Sequence, residues 1–457
     1  MKKSQFEFWK KLYINAANLI LILAVSALFY WNWLRRWNIM MDRDFEGKGN
    51  LLMGVVYIVI LTVFLKVWGG FKLGVTKLGN LLLEQAFALL CTNILIYIQM
   101  VLMVGQIDIL LELALGTLRL SILEMLLIVF LEIIFLNLYN KMFPPYRMLQ
   151  INGLHKNHLN RKMSERSDRY NICEEISVFE AEETVFDKIR QYDAVLLNDI
   201  PSKYKNRILK YCFEHSVRVY FTPKISDIIV KGTEEINLFD SPLFLCKDMS
   251  LSVGQKIIKR IMDVLISLVG LILTSPFMLI TAICIKAYDK GPVLFKQKRC
   301  TYQGRVFWIY KFRSMVVDAE KDGKVIPAVD DDKRITPVGK FIRKTRIDEL
   351  PQLLNVLKGD MSIVGPRPER VEHIQKYCEE IPEFSYRFKV KGGLTGYAQV
   401  YGKYNTTAYD KLKMDLIYIV NYSMSMDFRI LLETVKVIFR KESTEGFAEE
   451  QKEENVN

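Results

Sequence analysis

Five apolar runs constrain this 457-residue chain more than any other feature. Four precede Lys141, near Tyr13–Leu34, Leu51–Trp68, Leu81–Val104 and Leu118–Leu138, and each approaches the ~20 residues that cross a bilayer. The first is too long for a signal peptide and has no small-residue cleavage site, so it reads as an anchor. Trp31, Trp33, Trp37 and Trp68 fall at run ends, where aromatic belts form. Lys2, Lys3, Lys10 and Lys11 precede the first run, Lys72 and Lys77 follow the second, and Lys141 and Arg147 follow the fourth. This bias predicts a cytoplasmic N-terminus and a cytoplasmic remainder, against the dissent of Arg35, Arg36, Arg43 and Lys48 in the first loop.

The fifth run, Val264–Ile285, carries Ser275-Pro276 in its middle. Proline removes a helical hydrogen bond, and serine can satisfy a freed carbonyl. Both flanks are basic, with Lys256, Lys259 and Arg260 before and Lys286 and Lys290 after, so both ends favour the cytoplasmic face. The run therefore predicts a helix-break-helix over 258–287 that enters and leaves one leaflet. A kinked span is the alternative.

Hydrophobic residues make up 51% of the chain, yet charged residues make up 25%. That combination implies membrane segments joined to polar domains. The net charge of +12 suits an anionic partner, and the spans favour a lipid surface or a nucleotide over nucleic acid. No nucleic-acid partner is expected. Seven scattered cysteines without a CxxC pair fit a reducing compartment rather than a disulfide framework or zinc site. His155 and His158 are close, but no thiol or carboxylate pattern accompanies them.

Residues 146–250 read as a small α/β unit. Asp193–Leu197 and Val217–Phe221 look like buried parallel strands around a helix over Ser202–His215. A Rossmann-type domain places a glycine-rich turn after its first strand, but 148–158 holds only Gly153, so no dinucleotide site is expected. The segment 441–457 is Glu-rich and reads as a disordered acidic tail.

Asp348-Glu349 lies just after Lys340, Arg343, Lys344 and Arg346. Basic surroundings would keep an Asp ionised and gather phosphates. The competing reading is local. Asp348 can N-cap a helix with Leu350, Leu353, Leu354 and Leu357 as its buried stripe and Gly359 as its stop. Lys311-Phe-Arg313-Ser-Met315 follows an apparent strand, Phe307–Tyr310. In Gly365-Pro-Arg367-Pro368, two prolines stiffen the chain around an arginine whose fork suits phosphate oxygens or a structural ion pair. Gly392-Gly-Leu-Thr-Gly396 reads as a flexible turn able to approach a ligand.

These pieces, with Lys259-Arg-Ile-Met-Asp263, Ser275-Pro276 and Lys358-Gly-Asp-Met-Ser362, resemble the bacterial sugar transferase family, the monotopic phosphoglycosyl transferases, from Lys256 to Arg440. The upstream part is similar to the family's long form. The resemblance implies a membrane protein with a four-helix transmembrane region over 1–145. A degenerate Rossmann-like (CoA-binding-like) domain would follow over 146–250. A mostly helical α/β catalytic domain with a re-entrant helix would span 251–440. It further implies transfer of a sugar-1-phosphate from a UDP-sugar to polyprenyl phosphate at the cytoplasmic membrane face, with magnesium, in exopolysaccharide, capsule or O-antigen synthesis. Asp348 matches the family's nucleophile and Glu349 its dyad partner, both near the metal. Lys311, Arg313, Arg343 and Arg367 match positions near phosphates, and Asp415 matches a carboxylate of the C-terminal part. Membrane lipids and a homodimer are implied as partners.

Two rival enzymes and one non-enzyme fit less well. A nucleotide-sugar dehydratase needs the absent glycine-rich turn, and a polytopic transferase needs more spans. A membrane scaffold would not depend on Asp348.

Overall fold

The computed structural model describes residues 3–41, 45–153, 159–238, 240–247, 250–317, 319, 332, 334–402 and 406–438. The expected disordered tail at 441–457 and the pair His155 and His158 lie outside the described residues. The chain divides into two compact units, one over Met1–Thr222 and one beginning at Pro223.

The first unit begins with four long helices: α1 (Lys3–Asn32), α2 (Lys48–Trp68), α3 (Leu78–Val104) and α4 (Leu110–Met142). A π-helical turn over Trp33–Trp37 and a 3-10 turn extend α1, making one apolar helical stretch from Phe6 to Met40. All four are long and apolar enough to cross a membrane. Neighbours pack in sequence, and α1 also meets α4, which closes the bundle. Phe29 stacks on Tyr57 with ring centroids 4.0 Å apart. Of the tryptophans at the run ends, Trp31 is exposed, whereas Trp33, Trp37 and Trp68 are buried in the bundle. The Trp33 indole N–H explains its inward position, because it donates to Asn50 at 2.7 Å.

The rest of this unit is a parallel sheet. β1 (Tyr146–Asn152), α5 (Leu159–Ser164), β2 (Tyr170–Ser177), α6 (Glu182–Gln191), β3 (Ala194–Asn198), α7 (Ser202–Glu214) and β4 (Arg218–Phe221) give the order β2-β1-β3-β4. The predicted strands and helix appear, with one difference. β3 is wholly buried, but β4 lies at the edge and is only partly covered. Gly153 has a packing role: a Cβ there would fall 1.9 Å from the Asp199 carbonyl.

The second unit starts with α8 (Ile225–Lys231) and the hairpin β5 (Glu234–Leu238)–β6 (Ser241–Leu245). Ile225 and Ile228 lie in this unit's core, so the segment from Pro223 packs with the later elements of the chain. Next comes α9 (Val253–Asp289), begun by a capping box between Ser252 and Gln255. The antiparallel pair β7 (Leu294–Cys300) and β8 (Val306–Phe312) leads to α10 (Pro337–Lys344) and α11 (Gln352–Lys358). β9 (Ser362–Val364), α12 (Val371–Glu380), β10 (Gly393–Thr395), α13 (Tyr397–Tyr401), α14 (Ala408–Val420) and α15 (Met424–Ile438) complete it.

The predicted break in α9 is not an interruption, because its helical assignment runs unbroken through Pro276. Serine does what the sequence suggested. Ser275 Oγ donates at 2.8 Å to the Ile272 carbonyl, the group that Pro276 cannot serve. This helix is also long and apolar enough to cross a membrane.

Candidate active site

The dyad is positioned by two adjoining turns. Thr336 caps α10 by accepting from Gly339 N at 2.9 Å. After α10, Arg346 adopts φ 59°, a left-handed conformation uncommon outside glycine, and redirects the chain. A 3-10 turn over Ile347–Glu349 then carries both carboxylates. Asp348 is therefore not the N-cap of the following helix. α11 starts at Gln352, with Pro351 in the cap position and no side-chain cap bond. The buried face of α11 is Gln352, Leu353, Asn355 and Val356 rather than a leucine stripe, and Leu354 is exposed. Gly359, at φ 89°, ends the helix as its sequence position required.

Asn355 joins the dyad segment to the strand that bears Lys311. It is fully buried, accepts from Tyr310 N at 3.0 Å and donates to the Trp308 carbonyl at 2.7 Å. Nothing in the sequence singled it out, although an Asn between the apolar residues Leu354 and Val356 of α11 was the available signal. β8 extends to Phe312, so Lys311 stands on the strand rather than after it. It shares the inward face of Phe307 and Ile309, four and two residues earlier.

Four predicted residues do not play equal parts. Lys311 Nζ donates to Glu349 Oε1 at 2.9 Å, and Arg367 Nη2 donates to the same oxygen at 2.7 Å. Burial opposes ionisation of Glu349, but Arg367 and Lys311 outweigh it and hold its carboxyl well below the usual range. The Arg343 side chain makes no hydrogen bond among the described residues and acts on Asp348 as a charge from the last turn of α10. Arg313 is consumed elsewhere. It is buried, pairs with both Asp289 carboxylate oxygens, and donates to the Pro292 carbonyl at 2.7 Å. It thus fastens the end of α9 and is not available to phosphate.

Asp348 is 8% exposed and has no side-chain hydrogen bond among the described residues. Its basic surroundings do not lower its pKa as the sequence suggested. Burial and the Glu349 charge raise it, against Lys311, Arg346 and Arg343. A carboxylate without hydrogen-bond partners, beside one anchored by two cations, is suited to nucleophilic attack at a phosphate.

Asp415 also pairs with a residue outside the dyad. It is buried on α14 and pairs with Arg387 at 2.8 Å. The Gly392–Gly396 segment is not a flexible turn. Its middle is β10, paired in parallel with β9. A Cβ on Gly393 would meet Gly365 N at 2.1 Å, and one on Gly396 would meet Gly365 O at 2.1 Å. These glycines permit close backbone approach behind the Arg367 loop.

No cluster of three or more His, Cys, Asp or Glu able to hold a metal occurs among the described residues. Asp348 and Glu349 still fit magnesium, which takes one or two carboxylates with phosphate oxygens. Both cations occupy Oε1 of Glu349, and Asp348 is unengaged by hydrogen bonds among the described residues.

The model for the bacterial sugar transferase family matches residues 254–441. The chain is 40% identical over 255 residues to a UDP-N-acetylgalactosamine-undecaprenyl-phosphate N-acetylgalactosaminephosphotransferase of Aeromonas hydrophila, covering 54% of this chain and 59% of that protein. It is 43% identical over 220 residues to a UDP-glucose:undecaprenyl-phosphate glucose-1-phosphate transferase of Klebsiella pneumoniae, covering 46% of this chain and 45% of the relative. The chain thus spans about half the length of these two relatives. It spans 94% of the exopolysaccharide production protein PSS of Rhizobium leguminosarum bv. phaseoli at 41% identity, over 39% of this chain. With the dyad, the Arg367 loop and the apolar α9 in one unit, this protein belongs to the bacterial sugar transferase family.

Proposed function

We propose that this protein is a phosphoglycosyl transferase that moves a sugar-1-phosphate from a UDP-sugar to undecaprenyl phosphate. The observation that carries this reading is the asymmetric dyad: Glu349 clasped by Lys311 and Arg367, with Asp348 beside it. The names of the relatives supply the substrate class. Asp348 attacks the phosphorus that bears the sugar. The bond from that phosphorus to the bridging oxygen breaks, its electron pair leaves with UMP, and an aspartyl phosphosugar ester forms. An oxygen of undecaprenyl phosphate then attacks the same phosphorus and returns Asp348 as a free carboxylate. Lys311, Arg343 and Arg367 supply positive charge around the transferring group. Asp348 and Glu349 would hold a magnesium ion, and the chemistry it would supply is further neutralisation of phosphate charge.

α9 is read as the re-entrant membrane element of a catalytic domain on the cytoplasmic face of the plasma membrane. Its central residues Leu268, Ile272, Leu273, Phe277 and Ile280 are exposed, as lipid contact requires. Both of its ends are fastened to the same unit. Lys259 meets Asp427 at 2.6 Å, Arg260 donates to the Val356 and Leu357 carbonyls at 2.6 Å, and Asp289 holds Arg313. The sheet of the first unit is read as a degenerate Rossmann-like domain with a structural or regulatory role. Membrane lipids around the spans and a homodimer complete the reading.

The test is UMP release by the full chain in detergent or nanodiscs, across a panel of UDP-sugars with undecaprenyl phosphate. Release from one or more sugars, lost with a chelator and restored by magnesium, supports the reading. No release from any sugar of the panel rejects the transferase activity, and chelator-resistant release rejects the metal.

A further inference from the structure

Arg367 lies in a main chain whose carbonyls are all engaged. Pro366 O accepts from Gly393 N at 2.9 Å, Arg367 O accepts from Arg387 Nη2 at 2.8 Å, and Pro368 O accepts from Arg299 Nη1 at 3.2 Å. The middle contact differs from the others. Arg387, on the 3-10 helix Pro382–Lys389, is 4% exposed and pairs through the same Nη2 with Asp415 Oδ2 at 2.8 Å. Asp415, on α14, is 1% exposed. A buried ion pair of this kind loses hydration on both partners, and a hydrophobic pair of similar volume often stabilises a fold as well or better. Fold stability alone gives little reason for a charged pair here.

We propose that Asp415–Arg387 is a positioning pair for phosphosugar transfer: it fixes the Arg367 main chain, so that the guanidinium of Arg367 remains on Glu349. Neither Asp415 nor Arg387 touches phosphate. The chain of contacts runs from Asp415 to Arg387 to the Arg367 carbonyl, and through the Arg367 side chain to the dyad. The two prolines restrict φ at 366 and 368, and Pro368 also keeps ψ of Arg367 in the extended region. Arg387 fixes the direction of the Arg367 carbonyl within that region. This inference rests on the transferase reading for its kinetic consequence, but not for its structural one.

The experiment compares the full-length wild type with Arg387→Met, Asp415→Asn, Arg367→Met and the double variant Arg387→Met/Arg367→Met. Hydrogen exchange reads the loop directly. Arg387→Met should speed exchange in peptides spanning 362–370 by about 10-fold, while β8 peptides stay unchanged. Unaltered exchange in 362–370 overturns the clamp. Kinetics read its purpose. Arg387→Met and Asp415→Asn should lower kcat for UMP release by ~10- to 100-fold and change KM by less than about 3-fold, as misplacement of a catalytic group does. In the Arg367→Met background, Arg387→Met should add less than about a 2-fold loss, because it acts through Arg367. Equal losses in both backgrounds, or loss only in KM, overturn the positioning role. If the wild type releases no UMP from any UDP-sugar, the transferase reading fails, and the exchange measurement still decides whether the clamp exists.

Discussion

Arg367 Nη2 lies 2.7 Å from Glu349 Oε1, across 18 residues of chain. Lys311 reaches the same oxygen from β8. Two cations on one oxygen fix Glu349 as the permanent anion of the dyad. Its charge then contributes to raising the pKa of Asp348, the more nucleophilic of the two in consequence.

Asp348→Asn should reduce UMP release at least ~1000-fold, as loss of a covalent nucleophile does. The fold should remain intact. Asp348 makes no hydrogen bond among the described residues, and burial disfavours its charge, so the neutral isostere removes nothing the fold depends on. Turnover and thermal unfolding should be measured on the same preparation. Near-normal turnover would remove Asp348 from the nucleophile role.

Asn355→Ala should destabilise the second unit by roughly 1–3 kcal/mol, because it leaves Tyr310 N and Trp308 O without their buried partner. The rate should fall as well, since Tyr310 adjoins Lys311 on β8. Chemical or thermal unfolding in detergent reads the first effect. A stability equal to that of the wild type would show that water replaces the amide.

Stability should depend on pH through Asp415. Burial pushes its carboxyl up to about 6, with Arg387 opposing. The unfolded chain titrates near the ordinary value of about 3.9. Between those values the folded state holds a proton that the unfolded state has lost. Stability from this group is therefore full below about 3.9, falls as pH rises through the window, and is level above about 6, a total on the order of 3 kcal/mol. Asp415→Asn removes that slope. Unfolding of wild type and variant from pH 4 to 7 should diverge progressively; parallel profiles would place the Asp415 pKa at its ordinary value.

Single cysteines introduced at Gln255 and Lys290, in a chain lacking exposed native cysteines, should both react with an impermeant reagent added from the cytoplasmic side. Labelling of either site from the opposite side would make α9 a span.

Much of the fold was legible because its signals are local. Apolar length marks the spans, and alternating strand and helix patterns mark the parallel unit. Gly359 marks its helix end because only a residue tolerant of positive φ fits there. The misread points were those where a local rule had a long-range competitor. Asp348 satisfies the rules for an N-cap, but the left-handed Arg346 and a 3-10 turn shift the helix start past Pro351. Gly392–Gly396 has a turn-like composition, yet β9 draws it into a parallel strand.

The sequence by itself determined that this protein has membrane-length apolar helices and a carboxylate pair set among cations. Those properties reside in composition and spacing, which no later packing can change. Only the tertiary structure decided which cation serves which carboxylate. Arg313 and Arg367 are equal in charge and reach, but Asp289 meets the first and Glu349 the second. Asp415 could have faced phosphate, and Arg387 instead occupies it. Charge selects partners only after the fold has set the distances, because an ion pair depends on separation and burial rather than on order along the chain.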